Sequence, residues 1–288
     1  MKISTTSNWR LLLHALYPLI IAITVLWAIP RSANAQRLYV SQAPANKVSE
    51  YEASTGLPIN GDFITGLNTP DGLLVKDNTL FVANRASGTI GKYDATTGFP
   101  INANFIAGLA SPTQMEVKGN VLFVVNASTG TVGEYDADTG FVINASFITG
   151  LSINPEGMAV LNNKIFVSDA SAGTVGVFNA TTGLPTNANF ITGINQPVGL
   201  VVSTNQLLVA SFGAGTVGKY NLTTGGGVNG NFITGLDGPE HLALLGTKLF
   251  VPNNGNGSIG EYDAATGFAI NANFITGLNG PFGIAIKK

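Results

Sequence analysis

Apolar residues in this chain come in short runs separated by Gly, Asn, Asp and Thr, and the runs recur at a fixed distance. One copy reads Leu80-Phe81-Val82-Ala83-Asn84, then Gly88-Thr89-Ile90-Gly91-Lys92-Tyr93-Asp94, then Asn104-Phe105-Ile106, Gly108-Leu109 and Pro112. The aromatic of its second segment returns as Tyr51, Tyr93, Tyr135, Phe178, Tyr220 and Tyr262, and that of its third as Phe63, Phe105, Phe147, Phe190, Phe232 and Phe274. Both columns are spaced by 42, 42, 43, 42 and 42 residues. Six copies at this period indicate a repeat architecture.

Each unit reads as four strands. In the second unit, Gly72-Leu73-Leu74-Val75 is apolar throughout, as expected of a strand covered on both faces. A turn at Lys76-Asp77-Asn78 leads to Leu80-Phe81-Val82, rich in β formers. A polar loop with Gly88 precedes the run from Thr89 to Tyr93, and Asp94-Ala95-Thr96-Thr97-Gly98 makes the next turn: Asp can bond the backbone two residues on, and Gly supplies a positive φ. Asn104-Phe105-Ile106 belongs to the outermost strand. Four strands per unit match a propeller blade of about 40 to 45 residues. Helical repeats are disfavoured because Gly and β-branched residues interrupt every apolar segment, and a parallel β-helix needs shorter coils.

The first unit, from Leu38-Tyr39-Val40, lacks its first strand, and Pro281-Phe282-Gly283-Ile284-Ala285-Ile286 supplies a first strand with nothing after it. The fold expected is therefore all-β, a six-bladed β-propeller of four-stranded blades. Its ring closes by pairing the C-terminal strand with the N-terminal strands, blade one combining residues 37–67 with 281–287. An open solenoid would need distinct capping units.

The amino terminus differs in kind. Lys2 and Arg10 precede an apolar run from Leu11 to Ile29, and Ala33-Asn34-Ala35 offers small residues where a signal peptidase reads. Residues 1–35 are expected to be a cleaved signal peptide and residues 36–288 a secreted or periplasmic domain. The competing reading is an uncleaved membrane anchor, since the run approaches the roughly 20 residues that span a bilayer. Losing Lys2, Arg10 and Arg31 takes the basic count from 14 to 11 against 16 acids, a net charge of -5, and leaves His241 as the single histidine. Charged residues are only 10% of the chain, without the Lys and Arg clusters a nucleic-acid surface needs. Cysteine is absent, so core packing and ring closure must hold the domain.

The pattern Pro-x-Gly, apolar strand, turn, then Leu-Phe-Val-x-Asn and Gly-Thr-Ile-Gly-x-Tyr-Asp resembles NHL-type repeats and the wider six-bladed propellers that include gluconolactonase-like proteins. The resemblance covers residues 37–288. It implies the fold, and a domain that binds ligands, proteins or calcium, or acts as a lactonase or esterase; fold alone does not choose among these.

In such a ring the loop entering the first strand and the loop between strands two and three share one face, here called upper. Phe105, Gly108, Leu109 and their equivalents hardly vary between copies and read as blade packing. The residue after the proline varies: Asp71, Thr113, Glu156, Val198, Glu240 and Phe282. Acids thus fall on blades two, four and six, and three converging carboxylates repel unless a cation or a proton intervenes. Asn84, Asn126, Asp169 and Asn253, after the second strands, could add oxygens. Calcium, which takes about 6 to 8 oxygens, suits this inventory better than zinc, and Asp71, Glu156 and Glu240 are the candidate metal ligands. The resemblance adds that a comparable acid and amide cluster holds the metal in gluconolactonase-like enzymes, with Pro70-Asp71-Gly72 and Pro155-Glu156-Gly157 in matching positions. Ordinary solvated loop acids are the competing reading.

Arg85 and Gln114 complete the candidate face. Glu240-His241 replaces the usual x-Gly and reads as an acid/base pair or as solvated loop residues. Phe212 and Phe282 replace small or polar residues and could floor a ligand site or plug the channel. No nucleophile motif accompanies His241. The function expected is an exported, monomeric binding module for a small ligand, glycan or protein, with calcium as the one candidate cofactor. The alternative is a calcium-dependent lactonase or esterase, and a third reading is a cell-surface scaffold.

Overall fold

The computed structural model describes residues 36–288; the expected signal peptide lies outside the described residues. Among these, strands and turns form six four-stranded antiparallel sheets, with no helix. The second blade runs from the innermost strand Pro70–Lys76 through Thr79–Asn84 and Thr89–Asp94 to the outermost strand Pro100–Ala107. The other blades repeat this order around the ring. In the first blade, Pro281–Lys287 lies innermost and pairs with Arg37–Gln42, setting Leu38 opposite Ile286 and Val40 opposite Ile284.

The hydrophobic core is divided among six seams, one between each pair of neighbouring blades. Side chains alternate across a strand, so Leu80 and Val82 face Tyr39 and Phe63 of blade one, while Phe81 and Ala83 face Met115 and Leu122 of blade three. The second strand is therefore the one buried on both faces. The innermost strand differs from its apolar reading: Leu73 is buried, but Leu74 and Val75 are half-buried because one face lines the central channel.

Aromatic pairs recur within the seams, with ring centroids 5.6 Å apart for Phe81 and Phe105 and 5.5 Å for Phe123 and Phe147. Burying one such ring contributes about 1.5–3 kcal/mol. The expected Asp turn also forms: Asp94 Oδ1 accepts from the backbone N–H groups of Thr96 and Thr97 at 2.9 and 2.8 Å. Gly98 follows with φ +75°, where a Cβ would stand 2.2 Å from the carbonyl oxygen of Phe63. Glycine both makes this turn and lets the blades touch.

Candidate functional site

Each innermost strand is approached through a proline preceded by a residue of positive φ: Thr69, Ser111, Asn154, Gln196, Gly238 and Gly280. The ladder then shifts register, as between Pro70 and Leu73 and between Pro155 and Met158. Bulges of this kind re-aim side chains at the end of a strand. The glycine of Pro-x-Gly makes the crowding tolerable: a Cβ at Gly157 would lie 1.9 Å from the carbonyl oxygen of Val198 on the next blade. The post-proline residues are thereby packed into the top of the ring rather than left in solvated loops.

Three acids in this column are buried: Asp71 is 1% exposed, Glu156 8% and Glu240 6%. Arg85, on the loop after the second strand of blade two, reaches between two of them. Its Nη1 lies 3.2 Å from Asp71 Oδ2, and its Nη2 lies 3.1 Å from Glu156 Oε1 and 3.1 Å from Asn154 Oδ1. The remaining oxygen of Asp71, Oδ1, is 2.9 Å from His241 Nε2. His241 is 2% exposed, and its Nδ1 is buried without a hydrogen-bond partner. Blade six keeps only the Pro239–Asn253 bridge ahead of its short innermost strand Ala243–Leu245, so His241 lies outside the ladder.

Beside this cluster is a cavity of about 240 Å³ lined by Arg85, Asn154, Glu156, Ala170, Gln196, Val198, Phe212, Glu240, Asn254 and Phe282. Glu240 spends its backbone N–H on Pro252, and among the described residues its carboxyl has no hydrogen-bond partner. Burial, then the charges of Asp71 and Glu156, push the Glu240 carboxyl well above the ordinary value of 4.5. Burial and Asp71 also raise Glu156, to about 7, against the opposing pull of Arg85 and His241. The site therefore combines a guanidinium held between Asp71 and Glu156 with two carboxyls, Glu156 and Glu240, inclined to hold protons, next to two aromatic rings.

Of the residues singled out in the sequence, Arg85, Glu156, Phe212, Glu240 and Phe282 share this cavity. Asp71 is not among the cavity's lining residues but bonds Arg85, and His241 in turn bonds Asp71. Gln114 is buried and lines the channel below, its Oε1 unpartnered. Asn84, Asn126 and Asn253 instead tie loops together, accepting from the backbone N–H groups of Asn68, Ala110 and Asp237 at 3.3, 3.3 and 3.4 Å. Asp169 does the same for Ser152 and Ala172 at 2.7 and 3.1 Å. As placed, this set does not fit calcium: Arg85 occupies the space between Asp71 and Glu156. Among the described residues no three acids or histidines are gathered to hold a metal ion.

Sequence reasoning missed Asn154, Gln196 and Asn254. The signal was present in two further columns that vary between copies, the residue before each proline and the residue after each second strand. The latter reads Ala43, Arg85, Ala127, Ala170, Phe212 and Asn254.

No protein-family model and no curated protein matches the chain. Among solved structures it is similar to a chain of the nidogen/laminin complex, with a TM-score of 0.70 at 15% identity, covering 87% of this chain and 98% of that one. It is also similar to the computationally designed Ika8 protein, with a TM-score of 0.54 at 19% identity, covering 86% of this chain and 74% of that one. At such identities the likeness establishes the fold: the chain is a six-bladed β-propeller, a scaffold on which binding modules and enzymes are both built.

Proposed function

We propose that this propeller is an exported binding module that takes a small ligand in the upper-face cavity between Arg85, Glu156, Phe212, Glu240 and Phe282. The observation that carries the reading is that this cavity gathers positions where the six copies disagree, with a buried carboxyl left unpartnered among them. A concave site with apolar walls and a few convergent polar groups is the usual form of a ligand pocket. Export rests on the basic and apolar amino terminus ending in Ala33-Asn34-Ala35. The resemblance to NHL-type and gluconolactonase-like propellers supports a ligand on the same face, without carrying over their metal chemistry.

The test is a thermal-shift and calorimetric screen of purified residues 36–288 with neutral saccharides, small carboxylates and small amines, repeated on Phe212→Ala. At least one class should stabilise the unsubstituted protein and bind Phe212→Ala more weakly. No stabilisation by any class, or binding indifferent to Phe212→Ala, overturns the proposal.

A further inference from the structure

The cavity's chemistry narrows the ligand. Asp71, Glu156 and Glu240 face one permanent cation, Arg85, whose guanidinium already bonds Asp71, Glu156 and Asn154. His241 is the other titratable group at the cluster, and its Nε2 is committed to Asp71. Full ionisation of the acids would leave this pocket with excess negative charge. Glu240 holds the free end: it lines the cavity, is 6% exposed, and accepts no hydrogen bond among the described residues. A carboxyl that lines a cavity without a protein donor is open to a donor that a ligand brings, and a hydrogen bond to a charged group is among the stronger ones.

The walls beside Glu240 are aromatic. Phe212 stands where blades one, three and four carry alanine. Its ring lies over Gly238, where an added Cβ would approach it to 3.0 Å, and Gly238 is two residues before Glu240. Phe282 occupies the post-proline position of blade one and lines the same cavity. Aromatic faces beside a carboxylate suit an ammonium group bearing an apolar body, since the ring quadrupole attracts the cation and the carboxylate takes its N–H donors. The cavity, of about 240 Å³, lies at the small end of ligand pockets, so the fitting ligand is small.

We infer that the cavity binds a small protonated amine, its nitrogen donating to Glu240 and Glu156 and its apolar part resting on Phe212 and Phe282. This rests on the cavity being the ligand site, and it specifies which chemistry that site selects. Glu240 and Glu156 then exchange a held proton for the ligand's positive charge. Amine binding near pH 7 consequently releases protons to the buffer.

The experiment uses benzylamine as probe, benzyl alcohol as its neutral counterpart and benzoate as its anionic one. Each is titrated calorimetrically into residues 36–288 in two buffers of different ionisation enthalpy, with Glu240→Gln and Phe212→Ala alongside. Benzylamine should bind about tenfold or more tighter than benzyl alcohol, a difference typical of a charged hydrogen bond, and release protons. Glu240→Gln, nearly isosteric, should lose about tenfold in affinity and most of the proton release, and Phe212→Ala should weaken binding without removing the release. Benzyl alcohol or benzoate binding as tightly as benzylamine, with loss on Phe212→Ala, overturns the amine inference and leaves the cavity as a ligand site. Absence of binding by all three overturns the inference, and the broader screen above then decides the fate of the site itself.

Discussion

The seams between blades and the upper rim of the ring are built from the same repeat, yet they use it in opposite ways. In the seams the copies agree: Tyr39, Phe81, Phe123, Phe166 and Phe250 occupy one column, broken only by Leu208 in blade five. On the rim they disagree, and Arg85, Glu156, Phe212, Glu240 and Phe282 come from five different blades. Agreement follows from packing, because each seam presents the same geometry and close-packed interiors tolerate little change in volume. Disagreement is permitted where the side chain meets a cavity instead of a neighbour. Identical units thus build one asymmetric pocket.

Ring closure gives the most severe way to break this division. Removing residues 281–288 deletes the innermost strand of blade one and opens the seam where Ile284 packs with Phe250 and Phe274. The shortened protein should lose its cooperative thermal transition by circular dichroism. A transition retained near the original midpoint would mean that closure contributes little.

A smaller effect is expected at the rim. Arg85→Met leaves Asp71 and Glu156 without their shared partner. Breaking a buried ion pair costs about 3–5 kcal/mol; because the Arg85 side chain is 29% exposed, a loss of about 2 kcal/mol near pH 8 is expected after discounting for solvent screening. Glu156 titrates near 7 with Arg85 present, and higher without it, so it takes up a proton on acidification. The deficit should therefore shrink between pH 8 and pH 5 in urea unfolding. A deficit constant with pH would show that the Arg85–Glu156 pairing is not its source.

Smaller still is the effect of Glu116, half-buried in the channel wall near Met115, Leu242 and Ile284. Burial raises its carboxyl from 4.5 to about 8. Between these values the folded protein holds a proton that the unfolded chain releases, so this group's contribution to stability falls as pH rises. Glu116→Gln should match the unsubstituted protein at pH 4.5 and exceed its melting temperature by about 2–4 °C at pH 8, equivalent to roughly 1 kcal/mol in a chain of this size. Equal melting temperatures at both pH values would show that channel water solvates the carboxylate fully.

The fold was legible because period, turn chemistry and strand composition all repeat: the 42-residue spacing of Phe63, Phe105 and Phe147 already implies blades, and Asp94 with Gly98 marks the turn. The site was legible in part. Variation after the proline identified Glu156, Glu240 and Phe282 as rim residues. It could not show that Arg85 would lie between Asp71 and Glu156, because an arginine's reach across a ring depends on geometry rather than sequence distance. Nor could it show that Asn84, Asn126 and Asn253 bond backbone N–H groups, since an amide suits a loop tie as well as a ligand site. His241 in place of glycine marked an irregular blade, while its pairing with Asp71, 170 residues away in sequence, required the closed ring.

The most direct test of the division between seam and rim is urea unfolding of Phe166→Ala beside Phe212→Ala, the same substitution in the two settings. Phe166 is fully buried between blades four and five, whereas Phe212 is 39% exposed over the cavity. Phe166→Ala should cost about 3–5 kcal/mol, as expected for truncating a buried aromatic. Phe212→Ala should cost less than about 1 kcal/mol because its ring is already partly solvated. Comparable losses for the two, or a larger loss at Phe212, would contradict the account, because the rim would then be part of the packing that holds the ring together.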